Sequence, residues 1–295
     1  MSEGFNIKLF VEGTRSRSGK LLPPKLGFLS LLISAYRNGA CKDMSVVPIF
    51  VGYDKVIEEG AYLEEAEGGE KEPENVFQVI RARKFLKSRY GRIYLNLHEP
   101  ISLSRLQALC GIDLMDAPQK EINGFTRELG FRIINAIDKV SMVTPHTIVA
   151  ATLLNHPKEM IAYDKIEAGA LFYLSYLVAQ NVQLADTLTI NAEHAITQVV
   201  EDYVQRGFID RVSGNKKSPV TDLEFKVVEN KRIGLDYYKN GCIIFFVPAA
   251  FTAMAILARD AFQFSAADLH DTYRQLRSLF KNEFAYDIDV PVERV

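Results

Sequence analysis

One loop near the start of the chain gathers residues that could bind a phosphorylated ligand. It reads FVEGTRSRSGKLLPPK, residues 10–25, and its first residues end the short apolar stretch IKLFV, residues 7–11. Arginine presents a planar fork of donors that matches phosphate oxygens, hydroxyl groups add neutral donors, and glycine lets the backbone come close. These groups come from Glu12, Gly13, Thr14, Arg15, Ser16, Arg17 and Ser18. Because a carboxylate can hold an arginine or accept from substrate hydroxyls, the set would suit a polyol phosphate.

The loop lies in a basic segment of an otherwise nearly neutral protein. The formal net charge is -2 over 295 residues, so the field of the whole molecule does not favour nucleic acid or anionic lipid. Within residues 1–42 the only acidic residues are Glu3 and Glu12, against the cations Lys8, Arg15, Arg17, Lys20, Lys25, Arg37 and Lys42. Any anion site must therefore be local.

The residues alone also allow three other interpretations of the loop. It could be a solvated surface loop in which Glu12 pairs with Arg15 or Arg17, a contact that contributes roughly 0 to 1 kcal/mol. A nucleotide-binding P-loop fits poorly, because Gly13 and Gly19 enclose five residues instead of four and Leu21 stands where a magnesium-binding hydroxyl is required. Nucleic-acid binding through RSRSGK is weakly indicated, since no aromatic residues are interleaved.

The first third of the chain alternates strand-like and helix-like patterns. Residues 7–11 and 93–97 are short and β-rich, and residues 45–53 form a nearly continuous apolar run that is typical of a strand covered on both faces. Helical patterns occupy residues 26–36 and 75–92, the second of which carries a row of basic residues. This alternation predicts an α/β domain with a mostly parallel sheet and flanking helices.

The remainder of the chain has a mainly helical pattern. Strand signals fade after about residue 106, and the sequence predicts a division into residues 1–110 and residues 111–295. The helical patterns fall at residues 121–143, 148–154, 165–180, 192–208 and 266–284. The longest apolar run, residues 242–258, is interrupted by Pro248 and falls short of the roughly 20 residues of a membrane span. It predicts a buried or interfacial helix, with membrane contact as the alternative.

The cysteine pattern gives no sign of a metal site or a disulfide framework. Cys41, Cys110 and Cys242 are odd in number and far apart, which fits a reducing, cytoplasmic setting. The first residues show no secretory signal pattern.

Two stretches resemble conserved blocks of the glycerol-3-phosphate and dihydroxyacetone-phosphate acyltransferases. FVEGTRSRSGK at residues 10–20 is similar to the third block of that family, and VVPIFVGYDKVIE at residues 46–58 is similar to the fourth. Their order and separation are similar to the family's. YGRIYLNLHEPISL at residues 90–103 and LDYYKNG at residues 235–241 continue the likeness, which is strongest over residues 5–105.

The resemblance implies a partial glycerolipid acyltransferase domain followed by a helical C-terminal region. Such an enzyme transfers a fatty acyl group from acyl-CoA or acyl-carrier protein to the sn-1 hydroxyl of glycerol 3-phosphate, or to dihydroxyacetone phosphate, in phospholipid biosynthesis. It needs no cofactor, does not bind nucleic acid, and works at the cytoplasmic face of the cell membrane, because its product is insoluble. Val11 resembles the branch that uses glycerol phosphate and Thr14 the dihydroxyacetone-phosphate branch, so the acceptor stays open between the two.

The resemblance also implies roles for individual residues. Arg15 is the first choice as phosphate ligand, and Pro48 would lie in the fourth block, which shapes the catalytic face and helps to receive the acyl thioester. The substrate-binding set implied by the two blocks is Glu12, Gly13, Arg15, Ser16, Arg17 and Pro48.

The general base of that family is missing from the sequence. A histidine there deprotonates the acceptor hydroxyl and is oriented by an aspartate five positions on, but none of the five histidines here is followed by aspartate at that distance. No catalytic residue is therefore assigned, and His98, at the end of a strand, is expected to be an ordinary histidine. Two hypotheses remain: the chain is an inactive part of a longer acyltransferase, or it is a noncatalytic module that binds phosphate or lipid headgroups.

Overall fold

The computed structural model shows a mixed α/β chain and describes residues 5–13, 16, 18–56, 91–212, 218–258, 265–286 and 289–294. The helices and strands described within residues 1–110 are α1 (Leu26–Arg37), β1 (Ser45–Val46), β2 (Ile49–Tyr53), β3 (Ile93–Leu97), β4 (Ile101–Ser102) and α2 (Leu103–Cys110). The predicted helix at residues 75–92 lies almost entirely outside the described residues.

The described part beyond residue 110 is mainly helical, as predicted. It contains α3 (Gln119–Lys139), α4 (Pro145–Asn155), β5 (Met160–Ala162), α5 (Tyr163–Ala179), α6 (Asp186–Ile190), α7 (Ala192–Gln205), β6 (Ile209–Arg211), β7 (Glu224–Val227), α8 (Arg232–Leu257) and α9 (Ala266–Leu279), with short 3₁₀ turns at Val220–Asp222, Glu229–Lys231 and Val292–Arg294. The apolar run at residues 242–258 belongs to α8, which begins about ten residues earlier, at Arg232. Pro248 lies inside this helix and does not end it.

The prediction of a mostly parallel sheet is wrong, because the named strands of the described chain all pair antiparallel. β1 pairs with β4, β2 with β3, and β7 lies between β5 and β6. Parallel neighbours need a crossover connection, whereas antiparallel neighbours do not. A helix pattern between two strand patterns therefore does not determine whether the two strands run in the same direction. The predicted strand at residues 7–11 is also wrong: residues 5–10 are irregular, since a strand needs a hydrogen-bonded neighbour.

One face of the β2–β3 pair is apolar and exposed. Cross-strand neighbours on this face are Ile49 with Leu97, Val51 with Leu95, and Tyr53 with Ile93. Their side chains are between 40% and 69% exposed, whereas Tyr94 on the opposite face is buried. The expectation that both faces of this strand are covered is therefore wrong for the chain as given.

Two main cores hold the chain together. In the first, α3 packs on α1 and α2 through Ile122, Phe125, Leu129 and Ile133, whose helical spacing gives one apolar stripe. In the second, α5, α7 and α8 pack against α4, and a three-stranded sheet contacts α5 and α7. Buried residues of this second core include Ile148, Ile166, Tyr203, Phe208, Phe225, Leu235 and Cys242. The division at residue 110 stays a prediction.

Helix α4 is the central element of the second core. Its start is fixed by Pro145 in the first turn and by Thr147, whose Oγ1 accepts from the N–H of Thr144 at 3.2 Å. Nearly all of its residues are buried, as expected of a helix that is apolar around its whole circumference. A Cβ added to Gly241 of α8 would lie 3.1 Å from Thr147, so the two helices approach closely there. This packing fixes the position of the first half of α8.

Candidate functional site

The loop at residues 10–25 is closed at its base by backbone hydrogen bonds. The N–H of Lys25 donates to the carbonyl of Val11 at 2.8 Å, and the N–H of Gly13 donates to the carbonyl of Phe10 at 3.0 Å. Gly13 has φ +68°, and a Cβ there would lie 2.8 Å from Cγ of Lys25. Only glycine fits this bend without strain. Because the Lys25–Val11 hydrogen bond brings the two ends of the loop together, the chain leaves and re-enters the fold at one place, as in an Ω-loop.

The side chain of Glu12 forms a hydrogen bond across this loop. Its Oε2 accepts a hydrogen bond from the N–H of Leu22 at 2.8 Å. Burial raises the pKa of the Glu12 carboxyl above its ordinary value, and the hydrogen bond from Leu22 offsets only part of that shift. Arg15 and Arg17 lie outside the described residues, so their predicted contacts with Glu12 or with a phosphate stay predictions. What the structure adds is a second role for Glu12, in shaping the loop.

We expect Glu12→Gln to raise the melting temperature at neutral pH. Glutamine keeps an oxygen acceptor for Leu22 and removes a charge that burial disfavours. A carboxyl whose pKa is raised on folding destabilises the folded chain fully only above its folded pKa. The gain in melting temperature should therefore disappear as the pH falls below the ordinary pKa value of 4.5. Thermal melts at neutral pH and below pH 4.5 measure this gain, with Glu201→Gln, at an exposed position, as the control variant. A lower melting temperature at neutral pH would show instead that the Glu12 charge is compensated by a cation.

Ser16 also bonds within the loop. Its Oγ donates to the carbonyl of Lys20 at 2.6 Å. A serine hydroxyl has one proton to donate, so in this conformation Ser16 supports the loop and presents acceptor lone pairs. Glu12, Gly13 and Ser16 therefore share one small, internally bonded loop, and their role in substrate binding stays a prediction.

Pro48 lies outside the loop, at the entrance to β2. Its side chain is buried, and its carbonyl accepts from the N–H of His98 at 3.0 Å, so it joins the β2–β3 pair. His98 Nδ1 lies 3.1 Å from the carbonyl of Glu99. These are contacts of an ordinary strand end, and they give His98 no carboxylate partner among the described residues.

A partly buried ionic cluster that sequence reasoning missed joins the end of β2 to α7. Asp202 of α7 contacts Lys55 just after β2, Arg206 Nη1 at 2.8 Å, and Nε2 of His146 at 3.3 Å. Arg206 Nη2 donates to the hydroxyl of Tyr238 at 2.8 Å. Burial alone would raise the pKa of Asp202, but hydrogen bonds from His146 and Lys55 and the charge of Lys55 bring it below the ordinary value. No signal in the sequence could have found the cluster, because Lys55 and His146 are 147 and 56 residues from Asp202.

The His146–Asp202 pair is not arranged as a general base. The His146 side chain is only 8% exposed, and its ring lies 5.7 Å from those of Tyr203 and Tyr238. Its Nδ1 is buried without a hydrogen-bond partner in the described part of the chain. A substrate hydroxyl has no access to this nitrogen, so the pair is a structural feature of the second core. Nor does any group of three or more His, Cys, Asp or Glu residues among those described form a metal site.

Comparisons with known proteins cover almost the whole chain. A family model described as "Glycerol-3-phosphate acyltransferase C-terminal region" matches residues 62–295, and one described as "Acyltransferase" matches residues 1–52. The glycerol-3-phosphate acyltransferase of Pseudoalteromonas atlantica is 28% identical over 265 residues, covering 86% of this chain and 31% of that protein.

Two further relatives carry the same name and are similar over shorter stretches. The protein of Pseudoalteromonas translucida is 33% identical over 179 residues, 58% of this chain and 22% of that protein. That of Pseudomonas syringae is 31% identical over 184 residues, 60% of this chain and 22% of that protein. The chain spans at most about a third of the length of these relatives.

Proposed function

The chain belongs to the glycerol-3-phosphate acyltransferase family, and from this membership we propose that it is the acceptor-binding and C-terminal part of such an enzyme. The enzyme would transfer a fatty acyl group from acyl-CoA or acyl-carrier protein to the sn-1 hydroxyl of glycerol 3-phosphate. Family membership rests on the match over residues 62–295. Activity, substrates and partners of the whole enzyme are proposals, because this chain spans only 31% of the relative from Pseudoalteromonas atlantica.

The observation that carries the proposal is the closed loop at residues 10–25. Two backbone hydrogen bonds at its base, the Glu12–Leu22 hydrogen bond and the glycine bend join its described residues. In the sequence Arg15 and Arg17 fall between these residues, and guanidinium groups are suited to a phosphate monoester. The proposed acceptor is glycerol 3-phosphate first, with dihydroxyacetone phosphate as the alternative.

In the proposed reaction the acceptor oxygen attacks the carbonyl carbon of the acyl thioester. A base takes the hydroxyl proton, a carbon–oxygen bond forms, and the thiolate leaves. The residues of this chain bind and orient the phosphate end of the acceptor. None of its histidines has the family's spacing to an aspartate, and the one found paired with a carboxylate is buried. The general base therefore comes from outside these 295 residues.

The exposed face of the β2–β3 pair supports the same proposal. Six cross-strand apolar side chains, Ile49, Val51, Tyr53, Ile93, Leu95 and Leu97, form one surface. In antiparallel sheets that face water the outer side chains are normally polar, and large exposed apolar patches mark contacts with further protein or lipid. We propose that the rest of the parent acyltransferase packs on this face.

Work at the cytoplasmic face of the membrane is part of the proposal, because the acylated product is insoluble. α8 together with the 3₁₀ turn before it, Glu229–Leu257, is the one helical segment of the described chain that is long and apolar enough to cross a membrane. Its first half packs against α4, whereas Leu257 at its end is 83% exposed. That end is the proposed place of contact with lipid.

The second candidate function is a noncatalytic module that binds phosphate or lipid headgroups. The absence of the family's His-x4-Asp motif from the sequence favours it. It shares the anion-binding loop with the first proposal and differs only in catalysis.

We expect Arg15→Ala to weaken binding of glycerol 3-phosphate to the purified chain by about ten- to a hundredfold, the typical value of a charge-assisted hydrogen bond. Isothermal titration of the chain with glycerol 3-phosphate measures this. Arg105→Ala, which removes an exposed arginine from α2, is the matched control and should bind as the wild type does. Glycerol without phosphate should give no signal. If the wild type does not bind glycerol 3-phosphate, or if Arg15→Ala binds it equally well, the loop is not the acceptor site.

A further inference from the structure

The second and third turns of α8 contact both stretches that resemble the conserved blocks. Asn240 Nδ2 donates to the carbonyl of Ser18 in the loop at 2.8 Å. Two residues earlier, the hydroxyl of Tyr238 accepts from the N–H of Val56, just after β2, at 3.3 Å. These partners lie 222 and 182 residues away in sequence. One short helical segment therefore sets the position of the loop relative to the end of β2.

The loop packs on the backbone of α8 as well. Gly19 has φ +77°, and a Cβ at that position would lie 2.1 Å from the carbonyl oxygen of Tyr237. No side chain can occupy that space without moving one of the two segments. Gly19 is thus required both by its backbone conformation and by contact with the helix.

The helix is itself held firmly. Tyr238 is 3% exposed and bonds to Arg206, and Leu235 and Cys242 on the same part of α8 are almost fully buried in the second core. A further contact comes from beyond α9, where Glu283 pairs with Lys20 of the loop at 3.0 Å. The loop therefore rests on a packed helix, and its conformation depends on residues in the C-terminal region.

We propose that Tyr237–Asn240 of α8 is a positioning element for the acceptor: it holds Ser18 and Gly19 of the loop in the place that binding of glycerol 3-phosphate requires. The inference rests on the proposed function and deepens it, because it gives the C-terminal region a role in acceptor affinity. Without the Asn240 bond the loop would sample more conformations, and binding would have to order it again. Asn240 touches no substrate and acts only through Ser18 and its neighbours.

The test compares variants of Asn240 in the full 295-residue chain. Asn240→Leu has nearly the same volume and adds no charge but cannot donate to the Ser18 carbonyl, so affinity for glycerol 3-phosphate should fall by roughly fivefold, as for one lost hydrogen bond. Asn240→Gln keeps a donor and should recover part of the loss. Asn155→Leu, which removes an exposed amide that donates to the hydroxyl of Tyr173 at 3.1 Å, is the matched control and should bind normally. Gly19→Ala breaks the contact from the loop side and should weaken binding at least as much.

Three readouts separate positioning from general damage. Titration gives the affinity, thermal melting gives the stability, and the amide resonance of Gly19 reports the loop conformation. The inference is supported if Asn240→Leu shifts the Gly19 resonance and weakens binding while the melting temperature holds. It is overturned if Asn240→Leu and Gly19→Ala bind glycerol 3-phosphate like a wild type that itself binds well. A wild type that does not bind at all removes the proposed function, and the inference with it.

Discussion

The purified 295-residue chain is expected to transfer no acyl group from palmitoyl-CoA to glycerol 3-phosphate. Attack on the thioester needs a base that removes the hydroxyl proton, and loss of such a group from an active site commonly costs a factor of about 100 to 10,000 on its own. No histidine in this sequence has the family's spacing to an aspartate, and His146, which has a carboxylate partner in space, is enclosed by Tyr203 and Tyr238. Positioning of the phosphate cannot substitute for this step.

The assay follows release of free thiol, with the whole glycerol-3-phosphate acyltransferase of Pseudoalteromonas atlantica as the positive control under identical conditions. Glycerol 3-phosphate should still bind to the inactive chain, which distinguishes a missing base from a misfolded loop. Turnover by the chain alone would contradict the prediction. In that case His146→Asn would show whether the buried pair becomes accessible, since loss of the turnover in this variant would identify the base.

The loop could be found from sequence because its chemistry is local. The carboxylate, glycine, hydroxyls and cations follow one another within residues 12–18, so their types and order suffice to predict an anion site. The bonds that shape the loop could not be predicted, since the partner of Glu12 is the backbone of Leu22 and that of Ser18 is Asn240. Residue type gives a side chain its capacity to bond, whereas the path of the chain selects the partner.

The helical C-terminal region and the sheet show the same contrast. Helical spacing of apolar residues, as in Ile122, Phe125 and Leu129, is a local property and predicted the helices well. The direction of the β2–β3 pair depends on the course of the 39 residues between Tyr53 and Ile93, which periodicity does not reveal. α8 begins about ten residues before its apolar run. These first turns contact the loop through Asn240 and Arg206 of α7 through Tyr238, and neither contact can be seen in the local sequence.

Removal of the Asp202 charge is expected to have the largest effect on stability. Lys55 and Arg206 both pair with this carboxylate, and Arg206 also lies against aromatic rings, with that of Phe208 at 4.8 Å. Breaking a buried ion pair from one side costs about 3 to 5 kcal/mol, because the partner charges stay buried. We expect Asp202→Asn to lose about 3 kcal/mol, near the lower limit, since Lys55 keeps 28% of its side chain exposed.

Urea unfolding at neutral pH measures this loss. Asp164→Asn, which removes an exposed carboxylate that lies 3.4 Å from Lys165, is the matched control and should change the free energy of unfolding by less than about 0.5 kcal/mol. Because the cluster also joins the residues after β2 to α7 and α8, the variant should weaken binding of glycerol 3-phosphate in addition. An Asp202→Asn chain as stable as the wild type would mean that solvent reaches Lys55 and Arg206 far more freely than their burial indicates.

The pH dependence of the same variant tests the cause. The pKa of Asp202 is lowered on folding, so its contribution to stability is fully present above its ordinary value of 3.8 and is lost as the pH falls through the folded pKa. The difference in unfolding free energy between wild type and Asp202→Asn should therefore stay constant from neutral pH to about pH 5 and narrow below that. A difference that persists unchanged into strong acid would show that Asp202 acts through the shape of its hydrogen bonds and not through its charge, because protonation of the carboxyl would then leave the extra stability of the wild type intact.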